Sequence, residues 1–119
     1  MQAQLKGLHS PDVSDLESWL PNGHDFGFLL QVMIGPAGQD SAESFDLTVC
    51  TPGWLSHHIQ DRSIVSGQHK LFMEKYDSRT LVNYVERYIR RFEAPSWPDL
   101  AAKLNHLGHW EFDDYQEST

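Results

Sequence analysis

Seven histidines, one cysteine and seventeen carboxylates are the side chains of this 119-residue chain that could do chemistry. A metal centre would need several of them to converge. His57 and His58 are adjacent, and on a helix their side chains point about 100° apart, so they cannot jointly hold one ion in a simple way. His106 and His109 are three apart, but Gly108 lies between them and is expected to end a helix there. No acid or cysteine falls at the spacing of a structural zinc site, so the histidines read as solvated or packed residues, and no metal or cofactor is implied. Paired histidines can be drawn from almost any chain that has seven, which keeps a small hydrolase or nuclease using His57 or His106 as an alternative. Cys50 has no local base and no electropositive setting to activate it, and it reads as a small packed side chain at the end of a strand. Gly35-Pro36-Ala37-Gly38 lacks the lysine and following helix of a phosphate-binding loop, and is a turn. Arg87, Arg90 and Arg91 are interleaved with Glu86 and Glu93 and have no aromatic platform, which fits a solvated helix face better than a nucleic-acid patch.

The carboxylates are more informative, because they are unevenly placed. Residues 1–50 carry a net charge of −6, residues 51–110 a net of +2 and residues 111–119 a net of −4. Direct nucleic-acid binding needs basic surface to replace phosphate counterions, and this balance argues against it. A basic protein partner fits better. In Trp110-Glu-Phe-Asp-Asp-Tyr115 the aromatic residues are expected to anchor on the fold while Glu111, Asp113 and Asp114 project outward. With the N-terminal acids Asp12, Asp15 and Glu17, these form the expected partner-binding set, suited to steering and pairing with lysines and arginines.

The elements that must position these groups follow from period and punctuation. Residues 2–9 alternate apolar and polar as a first strand, although the alternation slips toward Leu8. Phe26 to Ile34 is the most apolar run and reads as a central strand. Ser44 to Cys50 puts Phe45, Leu47 and Val49 on one face and Asp46, Thr48 and Cys50 on the other, and should pair with the central strand as an antiparallel hairpin. Thr51-Pro52 starts a short helix, with Trp54, Leu55, His58 and Ile59 at helical spacing. His69 to Tyr76 reads as another strand. Asp77-Ser78 caps the longest helix, about Arg79 to Phe92, whose apolar stripe is Leu81, Val85, Tyr88 and Phe92 with Val82 and Ile89 beside it. A last helix starts at Ser96, with Asp99 in a capping box, and runs through Leu100, Leu104 and Leu107 to Gly108. The expected fold class is therefore α+β, an antiparallel β-sheet with about three α-helices packed mainly on one face and the other face left for a partner.

Length and composition set the outer bounds. A chain of this size can bury one core without disulfides, so residues 1–119 are expected to form a single domain. One cysteine, no apolar run long enough for a signal-peptide core and none near the ~20 residues of a spanning helix point to a reducing cytoplasm and no membrane partner.

The order of words in the chain adds a resemblance. His9-Ser-Pro-Asp-Val, Asp15-Leu-Glu-Ser-Trp19, Phe28-Leu-Leu-Gln-Val-Met-Ile-Gly35, Glu43-Ser-Phe-Asp-Leu-Thr-Val-Cys-Thr-Pro52 with Trp54-Leu55, and Trp110-Glu-Phe-Asp-Asp-Tyr115 succeed one another across nearly the whole sequence. This succession resembles the eighth family of immunity proteins from bacterial polymorphic-toxin and contact-dependent growth inhibition systems. The Val-Cys-Thr-Pro stretch with its following Trp-Leu, and the Trp-Glu-Phe, are the most specific parts. The resemblance implies a cytoplasmic antidote that binds the C-terminal domain of a toxin made beside it, often a nuclease, and blocks it without turnover. It carries over no catalytic motif. A structural or adaptor domain with a partner other than a toxin is the blander alternative.

Overall fold

In the computed structural model, which describes residues 1–113, the two most apolar runs form adjacent strands whose inward residues build the core. β2 (Gly27–Pro36) buries Phe28, Leu30, Val32 and Ile34, and β3 (Glu43–Cys50) buries Phe45, Leu47 and Val49. Their antiparallel register sets Leu30 opposite Leu47 and Val32 opposite Phe45, so the large residues meet on one face. Each such side chain, fully buried, contributes about 1.5–3 kcal/mol.

β1 (Ala3–His9) pairs antiparallel with the other edge of β2, and its register shifts between Leu5 and Gly7. This β-bulge is the physical content of the slipped alternation. Leu5 lies opposite Ile34 and Leu8 opposite Val32, so one extra residue puts two leucines three apart on the core face.

The far side of β3 receives two short strands. β4 (Lys70–Phe72) runs parallel to β3 at Thr48–Cys50, and β5 (His109–Trp110) runs antiparallel to it at Phe45–Asp46. The described residues thus form an α+β arrangement of five strands and three helices, in the order β1-β2-β3-β4 with β5 beside β4 on β3. Three of the four strand pairings are antiparallel as expected; the β3–β4 pairing is parallel. The strand expected over His69–Tyr76 is cut to three residues, because Tyr76 must leave the sheet edge to join Trp19, Phe26 and Phe28 in an aromatic cluster at 4.9–6.1 Å.

Two helices cover the apolar face. α2 (Ser78–Arg90), capped by the Asp77 carboxylate accepting from the Thr80 amide at 3.1 Å, buries Leu81, Val85 and Ile89. α3 (Trp97–Leu104), capped by Ser96, buries Leu100, Ala101 and Leu104. α3 stops four residues before Gly108. At that point the Asn105 side chain turns to accept the Trp110 amide at 2.7 Å, starting the return to β5. Gly108 serves the sheet instead: a Cβ there would lie 3.0 Å from the Phe45 backbone.

α1 (Pro52–Arg62) sits differently. It buries no residue, and its Trp54 lies against Gly27, which is out of phase with the core residues of β2 and so belongs to the opposite face. Thr51 fixes its start: the hydroxyl oxygen accepts from the Trp54 and Phe26 amides at 3.3 and 3.2 Å and donates to Asp25 at 3.0 Å. No described helix is long and apolar enough to cross a membrane.

Candidate partner-binding surface

Five of the six expected acids fall at two diagonal corners of the sheet; the sixth, Asp114, lies outside the described residues. Asp12 sits just past the end of β1, and its Oδ2 accepts the Leu29 amide at 2.9 Å, covering the β2 edge where β1 has ended. Asp15 folds its carboxylate back on its own turn, accepting from the Glu17 amide at 3.1 Å and the Ser18 hydroxyl at 2.7 Å. The Ser18 bond, then the Glu17 amide, lower its pKa, so its charge persists into mildly acidic solution. Glu17 is exposed on the same turn.

Glu111 and Asp113 lie at the other corner. Both are exposed, but Glu111 is partly structural: its Oε1 accepts the Ser44 amide at 2.8 Å while its own amide donates to the Ser44 carbonyl. Ser44 stands opposite Met33, four residues down β2 from the Leu29 amide that Asp12 holds. The two acid sets are therefore about 13 Å apart along the sheet and lie toward opposite edges of it.

The aromatic anchors expected at 110–115 hold unequally. Trp110 is half-buried, stacks on Phe45 at 6.4 Å and donates its indole N–H to Glu43 Oε1 at 2.9 Å. The Trp97 indole donates to that same oxygen at 2.6 Å. Phe112 does not bury; it stays 42% exposed and leans edge-on against Trp110 at 6.0 Å. Tyr115 lies outside the described residues.

The face of the sheet away from α2 and α3 carries a polar row that sequence reasoning missed. Register places His9 beside Gln31, Gln31 beside Asp46 and Asp46 beside His109, across all of β1, β2, β3 and β5. Asp46 is half-buried, and its Oδ1 is sealed from solvent with no hydrogen-bond partner among the described residues. Burial pushes its carboxyl above the usual range, against the Gln31 hydrogen bond and the charge of His109, with Glu111 adding to the rise. His109 also faces His69, with ring centroids 5.8 Å apart. Nε2 of His69 must carry its proton, since it bonds the Asn105 carbonyl at 2.6 Å. The signal that could have found this row is the polar phase of two strands already read as paired.

The residues proposed for chemistry are dispersed. His57 and His106 are exposed, on α1 and just beyond α3, and no three His, Cys, Asp or Glu of the described residues group so as to hold a metal. Cys50 is buried, and burial raises its thiol pKa, with Lys70 only partly opposing. It is a packing residue.

A groove of about 710 Å3 lies at the N-terminal acids, between the outer edge of β1, the 10–17 turn and the start of α2. Its floor includes Leu5, Leu8 and Val82, and Asp15, Glu17 and Arg79 stand among its lining.

The described residues form an α+β arrangement whose acids are held on turns and at sheet edges. The family model of Immunity protein 8 matches residues 3–115, and the chain belongs to that family. No curated protein and no solved structure matches it. The most specific words of the earlier resemblance are architectural: Val49, Cys50 and Thr51 close the core and cap α1, Trp54 covers Gly27, and Trp110 with Glu111 locks β5 onto β3.

Proposed function

We propose that this domain is an antidote: it binds the C-terminal domain of a cognate bacterial toxin in the cytoplasm of the producing cell and occludes it without turnover. Membership of the Immunity protein 8 family over residues 3–115 carries this reading. The charge distribution supports a basic partner, since the acids concentrate in residues 1–50 and 111–119 of a chain with net charge −8. A nuclease fits that description, because a surface that handles phosphate is basic, and an acidic inhibitor gains both coverage and fast association with it. Asp12, Asp15 and Glu17 at one corner, and Glu111, Asp113 and Asp114 at the other, are the contact acids of this reading.

Co-expression tests it. The C-terminal domain of the toxin encoded beside this gene should arrest growth alone, and growth should return when this chain is co-expressed and co-purifies with it. Continued arrest, with no co-purification of a soluble, folded antidote, would sink the reading.

A further inference from the structure

The two long sides of the sheet are finished differently. Beyond β3, backbone groups are taken by β4, β5 and Glu111. Beyond β1, the pairing found among the described residues is a single bridge from Gln2 to Glu93, supported by the Ala94 amide donating to the Met1 carbonyl. From Leu5 to His9 the outer side of β1 meets no strand among the described residues, and Leu5, Leu8 and His9 line the 710 Å3 groove. An unpaired edge presents N–H and C=O groups that a further strand can satisfy.

The groove floor suits such a strand. The bulge turns both Leu5 and Leu8 to the core side, where they line the groove together with Val82 of α2, so alternate side chains of an added strand would find apolar surface. Lys6, the residue most able to block the edge, is drawn away toward the β2–β3 turn, donating to the Gln39 carbonyl and to Gln4. The turn above supplies charge. Asp15 and Glu17 stand at the groove against one base, Arg79, and Asp12 lies on the same loop.

Resting on the antidote reading, we infer that this groove is where the toxin docks: an extended, basic segment of it adds to the free edge of β1, with apolar side chains on Leu5, Leu8 and Val82 and a lysine or arginine on Asp15 and Glu17. Main-chain pairing supplies affinity that tolerates sequence change, while the carboxylates select for cationic segments.

The test uses the full chain and the C-terminal toxin domain encoded beside it, with affinity measured by calorimetry and amide exchange followed residue by residue. Val82→Arg, which fills the groove, should weaken binding about a hundredfold, and the exposed Glu17→Lys about tenfold. Amides of Leu5 to His9 should exchange more slowly in the complex than in the free protein. A wild type that binds while both folded variants bind equally well, with edge amides exchanging unchanged, overturns the groove and leaves the antidote reading standing. A wild type that neither binds the toxin domain nor restores growth overturns both.

Discussion

The two edges of the sheet are built from the same backbone and differ in what has been done to them. At the β3 edge, three separate sequence segments converge: β4 arrives from residues 70–72, β5 from 109–110 with Glu111 after it replacing a missing strand carbonyl at the Ser44 amide, and Trp97 from α3, whose indole shares one Glu43 oxygen with that of Trp110. At the β1 edge a single bridge among the described residues holds the bottom, and the rest borders a groove with an apolar floor and acidic turn. Closing an edge with long-range contacts uses buried aromatics and fixed hydrogen bonds, so changes there should act on stability. Changes at the open edge should leave the fold largely intact and act on association.

Phe45→Ala tests the closed edge hardest. Phe45 is fully buried, stacks on Trp110 and meets the Trp97 ring edge-on at 6.4 Å, so its loss removes the surface on which β5 and α3 are seated. The expected cost is about 4 kcal/mol, read as a lower urea midpoint at unchanged slope. Glu43→Ala comes next, at about 2 kcal/mol, because it strands two indole donors that are only half exposed to water. Glu43→Gln keeps an acceptor oxygen and should cost less than half of that. At the open edge Leu8→Ala should cost about 1 kcal/mol, since Leu8 is only partly buried, yet weaken toxin binding by more than its effect on stability would suggest. Equal stability losses at Leu8 and Phe45 would break the contrast between the edges.

How far the sequence reached follows the range of the interactions involved. Features set within a few residues were legible: the alternation of β2 and β3, and the caps at Thr51, Asp77 and Ser96, all of which accept the amides expected of them. The bulge was visible as a slip in period at Leu8 but needed the register to become two leucines on one face. Features set by distant partners were not legible. Where the β4 strand stops depends on Tyr76 reaching the Leu16 carbonyl, where α3 stops depends on Asn105 meeting Trp110, and the face chosen by α1 depends on Gly27 leaving space for Trp54. The same holds for the site. The acids were identifiable by type, but only the fold separates them into two corners, commits Glu111 to Ser44 and Asp12 to Leu29, and puts Asp46 in a row with two histidines.

That row offers the smallest and most diagnostic test, since it asks whether charge or apolar contact attaches β5 to the closed edge. Asp46 is faced by Gln31 from β2, His109 from β5 and Glu111 beyond it, and desolvation is the largest influence on its carboxyl, raising the pKa above 3.8. A raised pKa in the folded state means that the native protein holds this proton more tightly than the unfolded chain does. Its contribution to stability is therefore favourable below the unfolded value, and is lost as pH rises through the folded one. At neutral pH the buried carboxylate is a net cost, with Oδ1 unmatched among the described residues. Asp46→Asn removes the charge and keeps an oxygen to receive the Gln31 hydrogen bond. The variant should melt about 2 °C higher than wild type at pH 7, with the difference vanishing as pH falls below about 4. A lower melting temperature at pH 7 would instead mean that attraction to His109 outweighs desolvation, and that β5 is held to the sheet by an ion pair as much as by Trp110 on Phe45.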